Sequence, residues 1–184
     1  MFAIAKNKSI IVLAVMLFLL SALLSYQING LSLVFVFSLA TLTILIYASV
    51  LDLRDQEIDI KILISGLVLA LVYSILSYGF DLKGILLSAI SAAIIPIILV
   101  SVSREKWMGS GDILIAAWVG IITGFPLSLI AIFFAFLAGA ISGIIIMKSS
   151  RSTKTLAFGP YLLIGCLLAM AFGDKVIAWY ASII

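Results

Sequence analysis

Long apolar runs alternate with short polar breaks along this chain. The runs fall at roughly 10–26, 31–51, 62–78, 84–102, 107–124, 127–147 and 156–172. Each is close to the ~20 residues that a helix needs to cross the ~30 Å hydrocarbon core of a bilayer. None alternates with period 2, as the strands of a membrane barrel do. Lipid offers backbone groups no hydrogen-bond partners, so only helices and closed barrels span it. The pattern predicts an all-α, polytopic membrane helix bundle with about seven transmembrane helices. A last apolar tail, 176–184, follows Gly173-Asp174-Lys175. It is too short to span and is expected at the interface or packed on the bundle.

The breaks carry most of the charge. Gln27-Ile28-Asn29-Gly30 reads as a turn. The stretch 52–61 is the most charged, with Asp52, Arg54, Asp55, Glu57, Asp59 and Lys61. Shorter breaks follow at 79–83, 103–106, 124–126 and 148–155. Pro96 lies inside the fourth run, where a membrane helix tolerates it. Gly139 and Gly143 have the spacing that lets a neighbouring helix come close. The first run follows a basic start, Lys6 and Lys8, as a signal peptide does. It is long for a signal core and no small-x-small cleavage site follows, so a retained helix is expected. The predicted division is an N-terminal helix and turn, 1–30, and a six-helix membrane core, 31–184.

Composition sharpens this picture. Of 184 residues, 65% are hydrophobic and 10% charged. Soluble domains are about 45–50% apolar and about 25% charged. There is one cysteine, Cys166, and no histidine. A CxxC zinc site, a Ser-His-Asp triad and a histidine proton relay are thereby excluded, and no metal or other cofactor is expected. Acid–base chemistry near neutral pH falls to carboxylates or a perturbed lysine. The net charge of +3 is spread over short loops, which reports membrane topology rather than nucleic-acid binding.

Cytoplasmic loops are enriched in Lys and Arg. With seven spans and the N-terminus inside, the inner segments hold nine basic residues: Lys6, Lys8, Arg54, Lys61, Arg104, Lys106, Lys148, Arg151 and Lys154. The outer turns hold two, Lys83 and Lys175. Asp52 ends the second run. Asp112 stands near the start of the fifth, behind Gly109 and Gly111. Two spans lie between these acids, and an even number of crossings returns the chain to the same face. Both are therefore expected at the cytoplasmic side. A helix starting at Trp107 would put Asp112 five residues in, roughly 7–8 Å along its axis. Asp81 and Asp174 fall on the outer side.

Carboxylates at membrane helix ends are functional-site hypotheses by default. Two brought close cannot both ionise cheaply, so they titrate as a pair. The charged member can then take a proton from water while the neutral one polarises a peptide carbonyl. Gly109 and Gly111, without side chains, would let a substrate strand approach Asp112. The plainer alternative stays open on the pattern alone: Asp112 serves as a helix-capping acid, and the other acids form a solvated loop.

Gly109-Ser110-Gly111-Asp112 matches the GxGD motif of intramembrane aspartyl proteases. Asp52-Leu53-Arg54 followed by Ile58 resembles the first aspartate motif of type IV prepilin peptidases, and Phe158-Gly159-Pro160-Tyr161-Leu162 resembles a segment late in that family's core. The three occur in the family's order and span most of the chain. Asp59-Ile60 stands where the family has Pro-Asn, and Leu114 where it commonly has Lys. The resemblance implies a membrane-embedded aspartyl endopeptidase that cleaves leader peptides of prepilins, pseudopilins or flagellin-like precursors at the cytoplasmic face. It implies a multi-pass inner (cytoplasmic) membrane protein with its N-terminus in the cytoplasm, whose partners are the prepilin-like substrate and the bilayer, with no nucleic acid. Carried over, Asp52 and Asp112 are the catalytic pair, and Gly109 and Gly111 shape the substrate site. Phe158, Gly159 and Pro160 support it. Asp55, Glu57 and Asp59 are candidates for binding a basic leader. Only a few residues separate the first two helices, so cleavage without N-methylation is expected. A non-catalytic pilin-binding relative and a proton-coupled transporter built on the same acids are the rival readings. The sequence leaves the oligomeric state open.

Overall fold

The computed structural model describes residues 2–105, 108–149 and 157–183, with backbone alone at 2–9 and 146–149. Among these there are seven helices and no strand: α1 (Phe2–Asn29), α2 (Leu33–Asp55), α3 (Ile60–Tyr78), α4 (Leu82–Ser103), α5 (Ser110–Thr123), α6 (Leu127–Ser149) and α7 (Gly159–Ala181). All but α5 are long and apolar enough to cross a membrane. The chain is a multi-pass, all-helical membrane protein. Helix α5 has 14 residues, about 21 Å at 1.5 Å per residue.

Three boundaries correct the expectations from sequence. Helix α2 continues to Asp55, and Gln56 closes it in the left-handed region with φ 56°. Asp52 is therefore a residue of the last helical turns, not the first residue of a loop. Helix α5 begins at Ser110, which makes Asp112 its third residue rather than the sixth of a longer helix. Trp107, the expected start, lies outside the described residues, as do Lys106, Arg151 and Lys154. Helix α7 runs unbroken through Gly173-Asp174-Lys175 to Ala181, so there is no separate apolar tail. Gly173 is buried against Leu127 of α6, and a Cβ there would come within 3.1 Å of that side chain. The glycine serves packing, and the two charged residues after it are exposed and leave the helix intact.

Apolar lipid gives membrane helices no hydrophobic reason to associate, so close packing and interhelical hydrogen bonds must hold them. Trp118 of α5 is fully buried. Its indole Nε1 donates to Thr41 Oγ1 of α2 at 2.8 Å. Its ring lies over Gly66 of α3, where any Cβ would collide with it. This one side chain thus joins three helices. Gly120 brings α5 onto the Ser88 carbonyl of α4, and Gly165 brings α7 onto the Ala131 carbonyl of α6. Of the pair singled out in the sequence, Gly139 makes room for the Phe158 ring, with 3.0 Å to a Cβ built there. Gly143 meets nothing within 4 Å among the described residues. Ser25–Ser38 (2.8 Å) and Ser91–Ser128 (2.7 Å) bridge α1 to α2 and α4 to α6. Large apolar residues such as Ile90, Leu129 and Phe133 face outward, where lipid replaces water.

The up-and-down order gathers the C-terminal ends of α2 and α4 with the N-terminal ends of α3, α5 and α7. That end of the bundle carries both candidate acids.

Candidate active site

Asp52 lies on the inner face of α2, buried at 9% exposure. A carboxylate so enclosed needs hydrogen-bond donors. The donor comes from across the bundle: the Gly159 N–H, at the start of α7, gives a 2.7 Å bond to Asp52 Oδ2. Gly159 follows Phe158 and begins the helix with Pro160 beside it, so its N–H is among the first-turn amides that have no partner within the helix. A Cβ on Gly159 would stand 2.9 Å from Asp52 Oδ2 and 3.3–3.4 Å from its Cβ and Cγ. Glycine is required here by the closeness of the carboxylate. Ser49, three residues before Asp52 on α2, donates to Leu45 O at 2.8 Å and to Gly159 O at 3.3 Å. Asp52 and Ser49 together hold both polar groups of that residue.

Asp112 is the third residue of α5. Its Oδ2 accepts from the Gly109 N–H at 3.2 Å, and its own N–H donates to Gly109 O at 3.1 Å. Gly109 has no side chain, so only the acid-to-backbone half of a capping box is present. The cap of the plainer alternative is therefore real. It does not exhaust the carboxylate, because only Oδ2 takes part in it. Each thus has Oδ2 on a glycine amide, and Oδ1 without a hydrogen-bond donor among the described residues.

Gly109 and Gly111 differ from the packing glycines. Neither has a positive φ. A Cβ on Gly109 would meet only Asp112 Oδ2, at 3.8 Å, and one on Gly111 only Leu63 Cδ1, also at 3.8 Å. Among the described residues no contact demands glycine at either position, and none of them fills the space beside these two glycines.

The acids of the α2–α3 connection lie at the same end, but they are not equivalent. Asp59 caps α3, its Oδ1 accepting from the Lys61 N–H at 2.9 Å. Asp55 pairs loosely with Arg54 at 3.9 Å, with both side chains more than half exposed. Such a pair contributes little. Glu57 is exposed. None of the three has been drawn in to Asp52 and Asp112. Among the described residues, no group of three or more Cys, Asp or Glu side chains is placed to hold a metal ion.

The family resemblance assigned the Phe158-Gly159-Pro160 segment to support, and its glycine amide proves to touch Asp52 directly. Ser49 went unnoticed. Its signal was its position, three residues before Asp52 and so on the same helix face.

Residues 39–144, which contain both acids, match the type IV leader peptidase family. The chain belongs to this family. Among its relatives is a prepilin leader peptidase/N-methyltransferase of Bacillus subtilis (strain 168), 28% identical over 153 residues that make up 82% of this chain and 61% of that protein. Another, of Legionella pneumophila, is 27% identical over 157 residues, 82% of this chain and 55% of that protein. A third, of Aeromonas salmonicida, is 35% identical over 82 residues, 44% of this chain and 28% of that protein. The chain thus spans less than two thirds of the length of each of these relatives. No solved structure matches it. Gly159 lies beyond the stretch matched to the family.

Proposed function

We propose that this protein is a membrane-embedded aspartyl endopeptidase that removes leader peptides from prepilin-like precursors at the cytoplasmic face. The observation that carries this is that Asp52, in the last turns of α2, and Asp112, in the first turn of α5, lie at the same end of the bundle. Membership of the leader peptidase family supports it. A water between the two Oδ1 atoms is the nucleophile. The ionised acid takes its proton as the water attacks the peptide carbonyl, and the protonated acid donates a hydrogen bond to that carbonyl oxygen. The proton then passes to the leaving amine. The glycine amides keep each carboxylate oriented through Oδ2, which leaves Oδ1 to the chemistry.

The substrate joins a short basic leader to an apolar helix that already lies in lipid. It enters from the membrane plane, and its scissile strand runs over the open backbone at Gly109 and Gly111. Glu57 and Asp55 attract the leader, with Asp59 contributing charge while it caps α3. The core is 31–184, with α1 (in 1–30) an added helix. The N-terminus is cytoplasmic, in an inner membrane. The excess of basic residues in the breaks at the acid end supports that orientation.

The test is co-expression with a prepilin and a gel shift of the processed form. Asp52→Asn and Asp112→Asn are each expected to abolish the shift. Processing that survives both substitutions overturns the assignment, and binding without cleavage by the unaltered protein points to a non-catalytic relative. Charge reversal at Asp55, Glu57 and Asp59 together should lower kcat/KM for basic leaders, and an unchanged value removes these acids from leader recognition.

A further inference from the structure

At the end of the bundle away from Asp52 and Asp112, α3, α4, α5, α6 and α7 border a half-open cavity of about 520 Å³. Helix α3 separates the two ends by its 19 residues, about 28 Å. Small-molecule sites typically measure about 300–1,000 Å³, with a mostly apolar lining and a few convergent polar groups. Here Ile122 and Met170 are among the apolar lining, and Tyr73 and Tyr78 bring aromatic rings.

Two observations define the polar side. Asp81 and Asp174 both line the cavity, and neither forms an ion pair among the described residues. Asp81 uses Oδ1 to cap α4, accepting from the Lys83 N–H at 3.1 Å, and its Oδ2 accepts from no described residue. The Lys175 ammonium beside Asp174 lies 5.8 Å from the centre of the Phe172 ring instead. Independently, Ser74 is 5% exposed and lines the cavity. Its hydroxyl has no hydrogen-bond partner among the described residues, whereas the buried Ser88 and Thr123 hydroxyls return to their own helices. Among the described residues no fully buried side-chain polar atom lacks a partner, so the Ser74 oxygen is open to the cavity, and what occupies that space answers it.

We infer that this cavity binds an organic ammonium ion carrying an apolar body. Two carboxylates repel an anion. A neutral apolar ligand would make no use of the two acids or of Ser74. A bare divalent ion takes six or more oxygen ligands at close range, and this cavity is too wide and too apolar to give them. An ammonium head answers the carboxylates and the Ser74 oxygen, aromatic rings favour a cation, and the apolar wall takes the rest. The same head group occurs on free amines and on aminolipids.

The probe is phenethylammonium, titrated by calorimetry into the purified protein in detergent, with 2-phenylethanol as its neutral counterpart. The ammonium should bind at least tenfold more tightly. Asp81→Asn with Asp174→Asn should remove that advantage and leave 2-phenylethanol unaffected. Asparagine still caps a helix, so the melting temperature should hold. If the double variant does not fold, Asp174→Asn alone, at an exposed position, should reduce the preference severalfold. Ser74→Ala should weaken the ammonium severalfold. Repetition in nanodiscs separates the sources. Competition by phosphatidylethanolamine but not phosphatidylglycerol assigns the head group to a lipid, and equal affinity in both assigns it to a free amine. Equal binding of the two probes, an unchanged preference in the folded variants, or no saturable ammonium binding overturns the inference.

Discussion

Two glycine amides, one from each of two distant motifs, hold Oδ2 of the two acids. Hydrogen bonds to a charged group contribute about 1.5–3 kcal/mol, and ~1.4 kcal/mol is a factor of ten. Gly159→Ala removes one such bond by steric displacement, because its Cβ falls 2.9 Å from the carboxylate oxygen. Leader cleavage should drop by about ten- to a hundredfold with the helical content preserved, as read by gel shift and circular dichroism. Full activity in Gly159→Ala would show that the amide does not position Asp52. Gly111→Ala makes the opposite test. It adds a good helix former where no described residue opposes a Cβ, so stability should stay level or rise by up to about 1 kcal/mol, the difference in propensity. Turnover should nonetheless fall severalfold if substrate passes over this backbone. Unaltered turnover in that variant would place the substrate path elsewhere.

At the scale of the helices, the Trp118 contact holds the site's frame. Helices α2 and α5 carry the acids, and Trp118 joins them through Thr41, with Gly66 of α3 beneath its ring. Gly66→Ala forces a methyl group into the indole. Overpacking of this kind costs about 1–3 kcal/mol. Thermal unfolding in detergent should show a clear loss of stability, and Trp118→Phe should partly rescue it by vacating the far ring. Additive effects of the two changes would show that Gly66 and Trp118 do not meet. None of this was visible in the sequence. Trp118 is one apolar residue among many in its run, and in a helix buried on all sides hydrophobicity does not mark the face that matters.

Over the whole molecule, topology is the quantity to check. Cys166 is fully buried, so single cysteines introduced elsewhere can be labelled against a low background. Asp55→Cys and Ser110→Cys should react with an impermeant maleimide from the same side of the membrane. Leu31→Cys and Phe80→Cys should react from the other. Reaction of 55 and 110 from opposite sides would break the parity on which the acid pair depends.

The length and greasiness of the runs settled by themselves that this is a bundle of membrane helices, because lipid leaves the backbone no other way to satisfy its hydrogen bonds. Charge in the breaks and an even count of crossings put Asp52 and Asp112 at one end, since each crossing reverses the chain. The local motifs indicated the family. Sequence did not determine where α2 and α5 stop and start around the acids, or that α7 passes through Gly173-Asp174-Lys175, because helix ends are decided by caps and by what packs against them. Nor could it tell that the Gly159 amide reaches Asp52, 107 residues away, that Gly109 and Gly111 face open space while Gly66 and Gly120 are filled by neighbours, or that Asp59 is spent on a helix cap. Those facts depend on which atoms lie within a few ångströms across helices distant in sequence, and only the folded bundle brings them together.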